Sequence, residues 1–412
     1  MVPGEAIYPG YLPLEAGGSG EEPGQRGGVI KVNGHIHTPH SFSAFRDMDQ
    51  PFRMAREEGI SVLGINDFNT TGGYGEFAGL ALEHRVFPLF NIEFMALQKE
   101  EQRLGIRVND PVNPGRTYLS GKGLRYPERM GAVSAGRMAS LQTESNLQTR
   151  RMVEKLNHYL EELMPDLRFD ADDLQRRLAR NMLRERHIAT AIRQALFDRC
   201  GDEEAVRECL TLFYGGKKPA FAPGNQAALE NEIRNNLLKS GGPAYVEEDE
   251  KAFLSLETVR EIILDAGGIP CYPVLLDDAR GNFTGFEADW PEMAASLAGK
   301  GITMVELIPG RNDFRILKDF VTLFRSLGFV ITFGTEHNSP LLEPLTVCAR
   351  GGVALDEELL RINEEGAAIV AAHQYLTAHG LPAFPAGRLP APGELRELAA
   401  LGRKVIARFI NR

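Results

Sequence analysis

Between residues 29 and 93 the chain alternates short apolar runs with amphipathic stretches, and this alternation restricts the fold more than any single residue does. Residues 29–37, 61–65 and 86–93 read as strands, with helices over 49–59 and 76–83 between them. Asp49 is placed to cap the first helix, Pro51 falls in its first turn, and Gly59 ends it. A β-α-β-α-β order demands parallel strands joined by right-handed crossovers. In such folds the chemistry collects at the carboxyl ends of the strands. His35 and His37, Asp67 and Glu93 all fall at those ends.

Residues 96–186 break the rhythm. The stretch 108–125 reads as loop, with Arg116, Lys122 and Arg125 close together. Helices are expected over 148–163 and 172–197, the second from the apolar stripe Leu174, Leu178, Met182, Ile188, Ile192 and Ala195. The rhythm resumes with a helix over 256–266, then strands over 269–274, 303–308 and 329–334 with helices between them. The expected organisation is a flexible arm (1–28), a first part of a barrel (29–95), a mostly helical insertion or cap (96–250), a second part of the barrel (251–350) and C-terminal helices (351–412).

A chain of 412 residues with 43% hydrophobic content can bury a large core. Its net charge of -10 argues against a nucleic-acid binder. The four cysteines form no Cys-x-x-Cys pair and read as free thiols, and no segment reaches the length of a membrane span. A cytoplasmic protein with a small-molecule ligand is expected, as a possible homo-oligomer.

His35 and His37 are two apart, so on a strand they project from one face as a ready pair of metal ligands. The order of motifs around them resembles that of the polymerase and histidinol-phosphatase (PHP) family. That family has His-x-His-Thr, Thr-Asp-His, Gly-x-Glu, Ala-His-Pro and Gly-Ser-Asp-x-His. The counterparts are His35-Ile36-His37-Thr38, Asn66-Asp67-Phe68, Asn91-Ile92-Glu93, Cys271-Tyr272-Pro273 and Gly334-Thr335-Glu336-His337-Asn338. The segment Arg184-Glu185-Arg186-His187-Ile188-Ala189 resembles the Arg-Pro-His-Ile-Ala of the branch that hydrolyses small phosphate esters, where the His is a metal ligand. The resemblance covers roughly 30–340. It implies an α/β fold, a distorted (β/α)7 TIM-like barrel, with divalent metals at the strand ends and phosphoesterase activity through a metal-activated water.

Three family ligand positions are altered, to Phe68, Tyr272 and Asn338. One to three ions of Zn, Mn or Fe are therefore expected, with His35, His37, Glu93, His187, Glu336 and His337 as candidate ligands. Asp67 is a candidate ligand or a group orienting one; His40 a ligand or acid, or part of a surface turn; Tyr272 a catalytic hydrogen-bond donor or a core aromatic. Arg116, Lys122 and Arg184, with Arg125 and Arg186, are candidates for an anion clamp over the barrel mouth, against the alternative of a solvated surface. The altered positions also leave open a non-phosphorylated sugar acid or lactone as substrate, or a binding protein without catalysis.

Overall fold

In a computed structural model, which describes residues 4–8, 29–222 and 224–412, seven strands join into one sheet in chain order. They are β1 (Lys31–Ile36), β2 (Ile60–Phe68), β3 (Phe87–Leu97), β4 (Arg116–Lys122), β5 (Ile269–Val274), β6 (Met304–Leu307) and β7 (Val330–Phe333). All run parallel except β4, which is antiparallel to both of its neighbours. Helices Gln50–Glu58, Tyr74–His84, Leu256–Asp265, Trp290–Gly299 and Phe314–Ser326 alternate with the parallel strands. The result is the expected α/β TIM-like barrel, nearly closed.

The closure has identifiable bonds. Above the sheet, Thr335 N and Glu336 N both donate to His35 O, and His37 N donates to Glu336 O at 2.7 Å. Across the gap between β1 and β7, Asn363 of helix Glu357–Ala378 donates to Val32 O and accepts from Phe333 N. Gln374 of the same helix accepts from Phe90 N on β3. This helix therefore satisfies strand groups that no neighbouring strand reaches.

β4 corrects the expected loop over 108–125. Thr117, Leu119 and Gly121 face outward, and an added Cβ on Gly121 would lie 2.9 Å from Ile263 of the adjacent helix. Tyr118, Ser120 and Lys122 face into the barrel, where Ser120 and Lys122 bond Glu306. The period-2 pattern is present, but its interior face is polar, so no apolar alternation announces it.

Between β4 and β5 lie helices Ala132–Leu160, Ala171–Leu178, Glu185–Cys200, Glu203–Phe213 and Gln226–Ile233. The single helix expected over 172–197 is two, parted by Ala179–Arg184. Leu156, Ile188, Ile192, Val206, Leu210 and Ile233 belong to an apolar cluster distinct from the barrel core. Of the expected N-terminal arm, residues 1–3 and 9–28 lie outside the described residues, whereas Ile7 and Tyr8 are buried against the barrel. No helix among the described residues is long and apolar enough to cross a membrane, and all four cysteines are free thiols.

Candidate metal centre

His35 leaves β1 on its interior face, His37 follows just beyond the strand end, and Glu93 rises from β3 beside them. All three are at least 97% buried, and their ligand atoms converge. His35 Nε2 and His37 Nε2 are 3.3 Å apart, and Glu93 Oε2 lies 3.2 Å from the second and 3.8 Å from the first.

The outer ring atoms decide what these inner atoms are. His35 Nδ1 donates to Glu306 Oε2 at 2.9 Å. Ser41 Oγ donates to Asp67 Oδ1 at 2.6 Å, which leaves it to accept from His37 Nδ1 at 3.2 Å. Both Nε2 atoms then carry lone pairs. Two lone pairs facing each other beside a carboxylate oxygen are mutually repulsive unless a metal ion or a proton sits among them. Glu93 Oε2 has no hydrogen-bond partner, and burial pushes the Glu93 carboxyl up to about 8 against the pull of His35. Burial likewise pushes the His37 imidazole below its ordinary range, favouring the neutral, ligating form. The donor set fits a divalent ion of the Zn, Mn or Fe type. The Asn66 amide, 3.0 Å from His35 Nε2, is the protein's own competitor for that lone pair.

The other candidate residues separate. Asp67 accepts from Thr38 N (2.7 Å), Thr38 Oγ1 (2.5 Å) and Ser41, which places it behind His37 rather than among the inner atoms. Glu336 lines the cavity above the pair, ion-paired to Arg311 and bonded to Asn338 at 2.8 Å. Arg311 holds its carboxyl below the usual range against the opposing effect of burial. Glu336 and His337 both adopt positive φ (63° and 54°), a rare pair for non-glycine residues that turns the chain over the site. His337 itself points away, with Nδ1 bonded to Thr335 Oγ1 and Nε2 donating to Glu343 O, both at 2.8 Å.

His187 lies in the first turn of helix Glu185–Cys200, where its Nδ1 accepts from Arg184 N at 3.0 Å. Its ring meets the edge of Phe42, and it does not join the convergent group. Burial and the Arg184 charge hold it down to about 4. His40 Nδ1 bonds Asn181 Oδ1 at 2.5 Å, toward the helical segment, and its Nε2 faces Glu76 at 3.8 Å. Tyr272 alternates with Cys271 and Pro273 and faces the opposite side of β5, where its hydroxyl donates to Glu287 at 2.9 Å. Phe68 stacks on His37 at 5.0 Å, and the Arg184 guanidinium lies over the Phe68 ring at 5.3 Å.

A cavity of about 700 Å³ opens above the centre. Arg116, Arg184, Arg186, Arg234, Lys239 and Arg311 line it. Arg116 pairs with Glu248 at 2.6 Å, whereas Glu185 is shared by Arg234 (2.9 Å), Lys239 (3.4 Å) and Arg184 (4.0 Å). Arg186 is pushed down to about 10, first by burial and then by Arg234. The expected clamp loses two members. Lys122 lies inside the barrel, bonded to Glu306 at 2.5 Å, and Arg125 is at the far end of β4, where its backbone donates to Ala266 O.

Glu306, Ser41 and Arg311 are absent from the sequence-derived set. Glu306 had a signal: a carboxylate inside the apolar run Met304-Val305-Glu306-Leu307 is costly unless paired, the argument that singled out Glu93.

No family model matches this chain, and no curated protein does. Solved structures do. A candidate metal-dependent phosphoesterase from Bifidobacterium adolescentis aligns with a TM-score of 0.53 at 16% identity, over 81% of this chain and 95% of that one. An amidohydrolase from Chromobacterium violaceum, determined with bound sulfate and no metal, aligns with a TM-score of 0.51 at 16% identity, over 81% of this chain and 97% of that one. At this identity the likeness establishes the shared fold.

Proposed function

We propose that this chain is a metal-dependent hydrolase of small anionic esters, phosphate esters foremost. The observation that carries the reading is the convergence of His35, His37 and the unpartnered Glu93 Oε2 beneath a cavity in which Arg184, Arg234 and Lys239 crowd onto the single carboxylate of Glu185. The names of the two structural neighbours, one a candidate metal-dependent phosphoesterase and one an amidohydrolase with bound sulfate, support it.

His35, His37 and Glu93 would hold the ion. When bound, a divalent cation lowers the pKa of a water to about 7 and offsets charge on the ester oxygens. Glu306 and the Asp67–Ser41 pair keep both imidazoles in the ligating tautomer. Arg184, Arg234 and Lys239 share one cavity carboxylate, Glu185, with Arg186 beside them on the same lining, so an anion there relieves their mutual repulsion and is fixed above the reacting bond. Phe68 excludes water from one side of His37.

The test is turnover by metal-loaded protein across small phosphate monoesters and diesters, simple amides and lactones. Hydrolysis of phosphate esters, lost in Glu93→Gln and with a raised KM in Arg184→Ala, is expected. Turnover of lactones with silence on phosphate esters would move the chain to the alternative that the altered positions Phe68, Tyr272 and Asn338 motivate, a non-phosphorylated sugar acid or lactone. Binding without any turnover would make it a ligand-binding protein.

A further inference from the structure

Beneath the candidate centre lies a buried cation that the chemistry above does not use. Lys122 starts opposite Ile269 at the amino end of β5, and because β4 runs antiparallel its side chain climbs the barrel interior. It is 98% buried, and Nζ donates to Glu306 Oε2 at 2.5 Å and to Asn66 Oδ1 at 3.2 Å. Ser120 Oγ donates to Glu306 Oε1 at 2.5 Å, and His35 Nδ1 reaches Oε2 at 2.9 Å. Both carboxylate oxygens of Glu306 are therefore committed, although Glu306 also lines the cavity next to His35 and Glu93.

The charge balance of the barrel's own groups points the same way. Around the two imidazoles the buried carboxylates are Asp67, Glu93, Glu306 and Glu336, and the cations bonded to them are the buried Lys122 and the half-exposed Arg311. With both imidazoles neutral and Glu93 ionised, as ligation requires, two negative charges remain. One divalent ion balances them. A second would leave two positive charges beside the buried Lys122 ammonium, where charge interactions are stronger than in bulk.

We infer that the Lys122 ammonium is a permanent cation of the centre, occupying Glu306 where it would otherwise help hold a second divalent ion, so that the site takes one metal ion per chain. The inference rests on the metal reading above.

Metal-free full-length protein titrated with Mn²⁺, with free Mn²⁺ counted by EPR, tests it. Wild type is expected to take up one tight ion. Lys122→Met, which keeps the stem and removes the charge, is expected to take up two, with dipolar broadening between them. Lys122→Arg is expected to remain at one. If Lys122→Met does not fold, Lys122→Gln, which can still bond Glu306, is expected to take up two. Two tight ions in wild type, or one in every folded neutral variant, would overturn the inference and leave the metal reading intact. No tight ion in wild type would overturn the metal reading and the inference with it.

Discussion

Ser41→Ala separates the stability of the centre from its function. Ser41 Oγ is a link: it gives its proton to Asp67 at 2.6 Å and accepts from His37 Nδ1 at 3.2 Å. Alanine removes both bonds at a position 99% buried. The bond to the carboxylate is worth about 1.5–3 kcal/mol, and an orphaned ring N–H would add about 1–3 kcal/mol. The second cost can be avoided. With no acceptor at Nδ1, the His37 proton moves to Nε2, where Glu93 Oε2 waits at 3.2 Å. The metal-free variant should therefore lose only about 2 kcal/mol, the Asp67 bond alone. The same proton shift consumes the lone pair that binds metal, so affinity should fall roughly 10–100-fold. Urea unfolding of metal-free protein reads the first quantity, and competition with a chromophoric chelator reads the second. Ser41→Thr, which retains the hydroxyl, should restore affinity. Unchanged metal affinity in Ser41→Ala would refute the tautomer argument, whatever the stability does.

Two further outcomes follow from groups outside the centre. His373 donates from Nε2 to Gly267 O at 2.7 Å and accepts at Nδ1 from Phe384 N, and burial holds its imidazole down to about 4. Its folded pKa is depressed below the unfolded value near 6.5, so stability is full above that value and is lost as pH falls toward 4. The loss should be about 3 kcal/mol, seen as a shallower acid limb of the stability–pH curve in His373→Gln than in wild type. Asn363→Leu strands the buried Phe333 N–H and Val32 C=O where β7 meets β1, at a cost of about 2–5 kcal/mol. Denaturant unfolding should show a lower midpoint with an unchanged m-value.

The sequence exposed the parallel part of the barrel because those strands are apolar runs separated by well-marked helices. Val62, Leu63 and Ile65, or Val330, Ile331 and Phe333, are buried on both faces and read as such. It hid β4 for the opposite reason: Tyr118, Ser120 and Lys122 line a polar barrel interior, and the flanking Gly and Pro residues look like loop. His35, His37 and Glu93 were legible because ligand-type residues at successive strand ends form a pattern along the chain. Their partners were not. Ser41 and Glu306 act through contacts with residues 4 and 271 positions away; the apolar run around Glu306 marks it as a carboxylate in need of a partner, but not that the partner is His35. Of the two candidate histidines beyond the first segment, the structure turns His187 into a helix-capping contact with Arg184 and His337 into a bond with Glu343 O. Side-chain direction, which spacing alone does not carry, makes that difference.

The central claim is that His35, His37 and Glu93 hold a divalent ion. Crystals of the full chain grown with Zn²⁺, with anomalous differences measured on both sides of the zinc edge, test it most directly. The expected result is a zinc peak at about 2.0–2.2 Å from His35 Nε2, His37 Nε2 and a Glu93 carboxylate oxygen, absent in His37→Ala. A fully occupied zinc bound elsewhere, or no peak between the two imidazoles at saturating Zn²⁺, would contradict it.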